Sequence, residues 1–522
     1  MNAGVKHIAA WLSVAIFATF TLIYNIGGRP LWGDEAETAI LAVNITKYGL
    51  PLNSDGKNLI TLYGQTVDSN ERHIWTWRPW LGEYLMAASF SLIGKSTTAA
   101  RLPFAIVGIF CVCALMFLVL RIYGDYNRAA LSGLILASTE IFILHVRQGR
   151  YYSLIIFGQI WLIYGLYLLL RRRDYSAVPH IAAALTLQFY CNYVVIPGNI
   201  IAIGIWAALI HKRHERILNR IGVGAVLFVL AALPWLLYAR PWRQGSYAEG
   251  VNFLHGVFVY SKEIHFHIFP FTLLILPLIY HIYRRLKAAA AGAPAHETPL
   301  STPMEADIEK LLWLAAPLQV LILSFGPGQN LRYITPVLPV FAIIEAGLLM
   351  RYIRQGILRA ALIIVLVTSN FISAPLSFDG RHTPRLTVSN LISSITEPYT
   401  NRLDDVLRFL RQQGHPGQSV FVFDPEFPLI FYTDMKVIDA RLSNSFPADK
   451  LPDWIFPVSA SGISGKAAIA LPESLFKYYD TVSLPVHNSS RRGDIPEPDQ
   501  YEYFTNREIV PMVVYKRKAV AQ

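Results

Sequence analysis

The sequence GGRPLWGDEAE, residues 27–37, directly follows an apolar run from about Ile8 to Ile26. A run of this length crosses a bilayer as a helix, and the Gly-Gly-Arg-Pro break ends it. The acidic pair Asp34-Glu35 comes within eight residues of the break. A carboxylate this close to a hydrocarbon boundary is partly desolvated, which raises its pKa towards that of a useful base. A solvated acidic cap at the membrane interface is the alternative that position alone leaves open.

The composition indicates a membrane protein. Of 522 residues, 53% are hydrophobic and only 16% are charged, whereas about a quarter are charged in soluble chains. Several apolar runs of 18 or more residues predict a polytopic chain. The net charge of +11 comes from short basic clusters between these runs. That is the pattern of cytoplasmic loops, not of a stripe that follows a phosphate backbone, so we expect no nucleic-acid partner.

The N-terminal run and the cysteines exclude two other kinds of protein. Residues 27–32 make a poor signal-peptide cleavage site, and the run is longer than a typical signal core, so we expect a retained anchor. Cys111, Cys113 and Cys191 offer neither a disulfide framework nor the spacing of a metal site. We therefore predict no metal ligands.

The topology depends on Trp80–Lys95, which is apolar but short and contains Glu83. If it lies in the interface as an amphipathic helix, ten further spans are predicted at about 102–120, 129–146, 151–170, 177–192, 194–210, 218–238, 264–283, 308–325, 333–350 and 356–376. The short loops on the side of Lys6 then carry 17 Lys and Arg, against 6 on the other side. The positive-inside rule favours this arrangement, with the N-terminus in the cytoplasm and the C-terminus outside.

The predicted fold class is an all-α polytopic membrane protein of about 11 transmembrane helices with a small α/β extracytoplasmic C-terminal domain. Residues 1–376 form the transmembrane domain, in which residues 27–101 are the first extracytoplasmic loop with interfacial helices, and residues 377–522 form the second domain. Helical or strand patterns in the tail lie at Asn401–Gln413, Ser419–Phe423, Pro428–Thr433, Lys436–Asp439, Ala467–Ala470, Thr481–Leu484 and Ile509–Lys516. We expect a multi-pass protein of the plasma membrane.

The first outer loop combines the acidic pair with many aromatic and cationic side chains: Trp32, Tyr48, Lys57, Tyr63, Arg72, His73, Trp75, Trp77, Arg78 and Trp80. Trp and Tyr gather at membrane interfaces without any catalytic role. Aromatic faces beside polar groups also bind sugars, by analogy with ring stacking on apolar surfaces. The combination with two adjacent carboxylates favours a functional loop.

Two further outer segments carry cations against the positive-inside trend. The first is His145-Val146-Arg147-Gln148-Gly149-Arg150-Tyr151-Tyr152, and the second is the Arg332-Tyr333 pair. Guanidinium groups at an interface bind phosphate bidentately. Contact with lipid headgroups, a salt bridge to an outer carboxylate, or snorkelling are the alternatives. Together the three segments suit a lipid-linked anionic substrate.

At this point the chain resembles the GT-C superfamily of integral-membrane glycosyltransferases, most closely the branch of aminoarabinose transferases and protein O-mannosyltransferases. The likeness covers roughly residues 8–376. It rests on four features in order: Asp34-Glu35 after the first span, Trp77-Arg78-Pro79-Trp80-Leu81 before an interfacial helix, Arg101-Leu102-Pro103 opening the next span, and residues 332–339, which read RYITPVLP.

The resemblance implies a transferase that takes a monosaccharide from a polyprenyl-phosphate-linked donor, with no other cofactor. It makes Asp34 the catalytic base and Glu35 its catalytic partner or an acceptor ligand. Arg78, Arg150 and Arg332 offset the charge of the leaving phosphate. His145, Arg147, Tyr152 and Tyr333 complete the expected substrate- and phosphate-binding set.

One departure from the family concerns the second outer loop. Many relatives carry a further acid a few positions after an arginine, whereas this chain reads RYYSLI at residues 150–155. This weakens the inference of a protein acceptor and of a two-carboxylate site. It also leaves open whether the protein uses a divalent metal.

Three hypotheses follow. The leading one is a glycosyltransferase with a lipid or cell-envelope glycan acceptor, in contact with membrane lipids. The alternative is a transporter or flippase of a lipid-linked saccharide, which needs ionisable residues deep in several spans. The interior is poor in them, with Glu140, Gln159, Gln188 and Glu345 the main ones. A non-catalytic scaffold leaves the acidic motif unexplained.

Overall fold

A computed structural model describes residues 3–61, 65–243, 252–290, 301–326, 330–376, 384–397, 400–422, 427–439, 451–457, 477–488 and 508–518. Nineteen α-helices lie in these ranges: α1 Ala3–Ile23, α2 Gly33–Tyr48, α3 Gln65–Asp68, α4 Leu81–Ile93, α5 Thr97–Tyr123, α6 Tyr126–Ser138, α7 Glu140–Val146, α8 Tyr152–Arg172, α9 Val178–Cys191, α10 Ile196–Ile210, α11 Ile217–Ala239, α12 Phe253–His267, α13 Ile275–Ala290, α14 Pro303–Leu323, α15 Leu338–Tyr352, α16 Gly356–Thr368, α17 Thr387–Thr396, α18 Arg402–Gln413 and α19 Phe427–Tyr432. The five strands are β1 Ser419–Val422, β2 Lys436–Asp439, β3 Trp454–Phe456, β4 Tyr479–His487 and β5 Ile509–Arg517. The protein is thus mostly helical with one small sheet, as predicted.

Six helices within the described ranges are long and apolar enough to cross a membrane: Gly4–Ile23, Thr97–Tyr123, Tyr152–Arg172, Tyr193–Ile210, Ile217–Arg243 and Leu331–Tyr352. Two bent pairs, α6 with α7 and Phe253–His267 with Phe271–Leu286, raise the number to as many as eight. The chain is therefore a multi-pass membrane protein.

The predicted number of eleven spans is not confirmed. Helices α9 and α16 have 14 and 13 residues, short of the roughly 20 that a membrane crossing requires. Helix α14 has 21 residues but carries four charged side chains in its first half: Glu305, Asp307, Glu309 and Lys310. Apolar composition alone did not separate these helices from spans; the apolar faces of α9 and α14 pack inside the protein, whereas no residue of α16 is buried.

Helix α4 is the segment on which the topology depended. It has 13 residues and is therefore about 20 Å long, too short to cross the hydrocarbon core. Its N-cap residue Trp80 packs edge-on against Trp235 of α11, with ring centroids 5.0 Å apart. Glu83, in its first turn, is buried. These features fit the predicted interfacial helix.

The C-terminal elements match most of the predicted pattern. The strand order is β2-β1-β3-β5-β4, parallel between β1 and its two neighbours and antiparallel in the rest. Helix α18 begins with a capping box of Asn401 and Asp404. Strand β3 was missed, because three residues are too few to show a period. The predicted strand at Ala467–Ala470 lies outside the described residues, and the boundary at residue 376 stays a prediction.

Contacts between the C-terminal elements and the membrane helices position the candidate site. Phe427 and Phe431 of α19 share a hydrophobic cluster with apolar residues of α2, α4 and α5. The hydroxyl of Tyr432, at the end of α19, accepts a hydrogen bond from the backbone N–H of Leu31 at 2.9 Å. The start of α2 is therefore held by a segment about 400 residues away in sequence.

Candidate functional site

The site is built on the first two turns of α2. Trp32 is the N-cap residue, and its backbone N–H donates to the Glu35 carboxylate at 3.3 Å. Acidic residues in the first turn are favoured by the helix dipole. Because side chains three and four residues apart share a helix face, Asp34, Glu37 and Thr38 lie on one face and Glu35 lies on another.

Glu35 is fully buried and faces Arg101 of α5. Its two oxygens accept bonds from the Arg101 guanidinium at 2.7 Å each, and one also accepts the backbone N–H of Gly149 at 2.7 Å. A Cβ at Gly149 would lie 3.0 Å from the carbonyl oxygen of Ala100, so glycine permits this close approach. Glu35 therefore joins α2, α5 and the loop after α7, contacts that favour a positioning role, and the catalytic role that the resemblance implied stays a prediction.

Asp34 has a different environment. Its Oδ2 atom accepts hydrogen bonds from Arg332 at 2.5 Å and from Arg150 at 3.4 Å, and 22% of its side chain is exposed. Burial raises the pKa of Asp34, but the cations Arg332, Arg150 and Arg78 together outweigh burial and leave the pKa below its usual value. Asp34 is thus a partly accessible carboxylate held ionised by neighbouring guanidiniums.

Arg150 and Arg332 reach Asp34 from two separate segments. Arg150 also donates to the backbone carbonyl of Asp34 and to the Thr38 hydroxyl, at 2.8 Å each. Arg332 lies in a 3-10 helix, Leu331–Val337, that leads into α15, and 18% of its side chain is exposed. The salt bridge that stood as an alternative for these cations is therefore present, and it is made with the candidate base itself.

Glu37 and Glu83 extend the cluster and were not assigned from the sequence. Arg78 lies 2.7 Å from Glu37 and 2.8 Å from Glu83, and its Nη2 atom donates to Thr38 at 3.1 Å. All three charged side chains are at most 8% exposed. The spacing Asp34-x-x-Glu37, which places both acids on one helix face, was the signal that could have found Glu37.

The remaining predicted site residues make their contacts with other parts of the protein. Arg147 donates to the carbonyl oxygens of Thr21 and Tyr24 at 2.7 and 3.0 Å, and so caps the end of α1. His145 is buried, with Nδ1 2.9 Å from the carbonyl of Ile141. Tyr152 is also buried, and its ring packs edge-on against His145 at 5.0 Å. These contacts pack His145 against Tyr152 and place Arg147 at the end of α1, and the substrate-binding roles of all three stay predictions.

Tyr333 contacts the cluster at Arg332. The guanidinium carbon of Arg332 lies 5.3 Å from the centre of the tyrosine ring. Tyr333 is half-buried. A cation over an aromatic face is a favourable arrangement, so the ring limits the positions that Arg332 adopts near Asp34.

A small cavity of about 60 Å³ borders the site on the side of Glu35. Its polar lining includes Asn25, Arg29, Trp32, Arg147 and Ser394. Arg29 donates to the carbonyl of Ser394 in α17, so the cavity is closed by a C-terminal segment. The described residues contain no group of three His, Cys, Asp or Glu side chains arranged to hold a metal ion.

Comparisons with known proteins agree with this architecture. The structure of ArnT from Cupriavidus metallidurans bound to undecaprenyl phosphate matches with a TM-score of 0.54 and 13% identity, over 100% of both chains. The apo structure of the same protein matches with a TM-score of 0.52 and 13% identity, over 84% of this chain and 86% of that one. The chain has the GT-C glycosyltransferase fold.

Sequence comparison matches one part of the chain to a family. Residues 77–238 match the family described as dolichyl-phosphate-mannose-protein mannosyltransferase. The matched segment begins beside Arg78 and contains Arg101 and Arg150, three of the cations described above. A comparison with curated protein sequences finds no match.

Proposed function

We propose that the protein is a membrane glycosyltransferase that moves a monosaccharide from a polyprenyl-phosphate-linked donor to a lipid or cell-envelope glycan acceptor. The observation that carries the proposal is the Asp34 carboxylate at the start of α2, partly exposed and paired with Arg332 and Arg150. One group is suited to accept a proton, and the other two are suited to hold a phosphate. One cluster therefore offers both groups that such a transferase needs, a proton acceptor and a phosphate-binding pair.

In the proposed reaction the donor phosphate and the Asp34 carboxylate compete for the same guanidiniums. Arg332 is the more exposed of the two cations, at 18% against 5% for Arg150, so it turns to the phosphate first. Asp34 then loses the largest of the three cation interactions that lower its pKa and becomes a stronger base. The acceptor hydroxyl gives its proton to Asp34 as it attacks sugar C1, and the phosphate leaves with its charge offset by arginine.

Two similarities support the lipid-linked donor. The family matched by residues 77–238 is described as using dolichyl-phosphate-mannose, and the ArnT structure with the same fold holds undecaprenyl phosphate. Both molecules pair a long apolar tail with a phosphate, which suits a cation cluster beside membrane helices. We place the reaction on the extracytoplasmic face of the plasma membrane, in accord with the distribution of Lys and Arg.

A transporter of a lipid-linked saccharide is the second candidate, favoured by one observation. Both bent helix pairs meet at a buried contact in which His267 Nδ1 lies 3.2 Å from Glu140 Oε2. Broken helices and buried ionisable groups line the substrate sites of many transporters. A transporter does not need a base at Asp34. The two candidate functions therefore differ in the role of Asp34.

The test measures sugar transfer from a radiolabelled lipid-linked donor in membranes that lack the native protein. We expect Asp34→Asn to lower the turnover number at least about 100-fold, because a positioned general base contributes that much or more. Asp480→Asn is the matched control, since Asp480 is exposed on β4. The control should transfer at the wild-type rate at equal protein level.

Other outcomes contradict the proposal. Normal transfer by Asp34→Asn would make the Asp34 cluster structural and require another base. Movement of intact lipid-linked sugar across vesicles by the wild type, with no sugar released from the lipid, would replace the transferase with the transporter.

A further inference from the structure

The candidate site is balanced in charge before any substrate binds. Among the described residues it contains three carboxylates, Asp34, Glu37 and Glu83, and three guanidiniums, Arg78, Arg150 and Arg332, joined by contacts of 2.5 to 3.8 Å. Four of the six side chains are at most 8% exposed. Water therefore contributes little to neutralising a charge that enters the cluster.

A lipid-linked sugar phosphate is a phosphodiester with one negative charge. Its entry leaves the cluster with four negative and three positive groups. An uncompensated charge in a buried site is costly, and such sites commonly change protonation instead of keeping the charge. One of the three carboxylates is therefore expected to become neutral when the donor binds.

Two of the carboxylates are poorly suited to take the proton. Asp34 is the most exposed carboxylate of the cluster, at 22%, so water helps to keep it charged after Arg332 turns to the phosphate, and Arg150 still donates to it at 3.4 Å. In Glu83, Oε1 accepts Arg78 Nε at 2.9 Å and lies 2.8 Å from Arg78 Nη2. Strong hydrogen bonds to the charged form of a carboxylate oppose its protonation.

Glu37 differs from both. It is fully buried, yet neither carboxylate oxygen accepts a hydrogen bond in the described part of the chain. Arg78 approaches at 2.7 Å without the alignment of a hydrogen bond and is shared with Glu83, while Arg150 lies 3.8 Å away. The charged groups that face Glu37 are Arg78 and Glu83 from the α4 side, Arg150 from the loop before α8, and Asp34 on α2 itself.

We propose that Glu37 takes up one proton from solvent when the anionic donor binds, and so sets the pH dependence of donor affinity. The inference rests on the proposed function, because it assumes that the cluster receives a phosphodiester. Protonation turns Glu37 into a hydroxyl donor and releases Arg78 and Arg150 from its charge. Both cations are then free to interact with the phosphate.

The direction of the pH effect on donor affinity follows from the same contacts. Burial, the largest influence, raises the pKa of Glu37, and the guanidiniums of Arg78 and Arg150 lower it by less. When the phosphate draws these cations away, the pKa rises further. Donor affinity should therefore be constant below the pKa of free Glu37 and fall about tenfold per pH unit between the free and bound values.

The experiment counts protons directly. The probe is a short-chain polyprenyl methyl phosphodiester, whose single charge does not titrate near neutral pH. Calorimetric titration of the detergent-solubilised protein is repeated at one pH in buffers of different ionisation enthalpy, and the slope gives the protons taken up per probe bound. At a pH between the pKa of Glu37 in the free protein and its pKa in the probe-bound protein, we expect uptake of about one proton for the wild type and none for Glu37→Gln.

Two variants make the measurement specific to Glu37. Glu309→Gln is the control, because Glu309 is likewise a carboxylate paired with arginine, with Arg351 at 2.6 Å, but is half-buried and lies outside the cluster. It should keep the wild-type proton count. Glu37→Asp retains a titrating group and should restore uptake, which keeps the test valid if Glu37→Gln folds poorly.

Each contrary result has a separate meaning. A wild type that binds the probe with no proton uptake, or with uptake that persists in Glu37→Gln, overturns the role of Glu37 and leaves the proposed function standing. Binding that requires a divalent cation and takes up no proton would also overturn it, since the metal would supply the charge. Failure of the wild type to bind the probe at any pH would contradict the proposed function itself.

Discussion

Asp34 and Glu35 are neighbours in sequence, but their carboxylates perform different tasks because the helix turns about 100° between them. Asp34 meets the movable cations of the cluster, whereas Glu35 is locked by Arg101 and Gly149. Arg101 also donates to the backbone carbonyls of Ile26, Arg29 and Pro30 at 2.9 to 3.0 Å. The break between α1 and α2 is therefore organised by one buried ion pair.

Replacing Glu35 tests this assignment at the scale of the residue. Glu35→Gln should lower the stability by about 3 kcal/mol, since removing one partner leaves the buried Arg101 guanidinium uncompensated. The measurement is thermal unfolding in detergent, with Glu71→Gln, an exposed carboxylate of the same loop, as the control. Loss of turnover at unchanged stability would instead restore Glu35 to the catalytic role that the resemblance implied.

At the scale of elements, the short helix α19 fixes the start of α2. The Tyr432 hydroxyl accepts the backbone N–H of the buried Leu31 at 2.9 Å and lies 2.7 Å from the hydroxyl of Thr97, at the start of α5. Phe427 and Phe431 cover the apolar side of the same junction. A C-terminal element is thereby part of the frame that positions Asp34.

Removing that hydroxyl should weaken the junction without unfolding the protein. Tyr432→Phe leaves the Leu31 N–H buried and without a partner, a loss of about 1–3 kcal/mol. We expect lower turnover with little change in the apparent affinity for the donor, because the base is displaced while Arg150 and Arg332 stay in place. Tyr478→Phe, on an exposed ring, is the control. Wild-type turnover in Tyr432→Phe would show that α19 does not position α2.

At the scale of the whole molecule, the predicted orientation places the sheet outside the cell and the basic loop after α10 inside. Asp480→Cys should therefore react with a membrane-impermeant maleimide in intact cells, and Lys212→Cys only after permeabilisation. The three native cysteines supply a low background, since Cys111 and Cys191 are buried and Cys113 is half-buried. The reverse labelling pattern would invert the topology and contradict an extracytoplasmic site.

The sequence predicted the fold class and most of the C-terminal elements, because hydrophobic runs and their periods are local properties; the interfacial position of α4 stays a prediction. It also selected Asp34, Arg78, Arg150 and Arg332, which the structure brings into one cluster. It did not reveal that Arg147 caps α1 or that Glu83 shares Arg78, since these contacts depend on tertiary packing. The number of spans is not confirmed for a related reason: short apolar helices such as α9 are buried by protein, and composition cannot separate that burial from lipid.

The pairing of Asp34 with Arg332 joins residues 298 positions apart, and this distance has a consequence for biosynthesis. A ribosome that inserts the chain into the membrane delivers the proposed base early and its cation partner only after most of the helices. A nascent or truncated chain ending before residue 332 holds the carboxylate without that partner and lacks the α19 frame as well. Such a chain holds Arg78 and Arg150 without Arg332, so the proposed site stays incomplete until residue 332 and then α19 have been made.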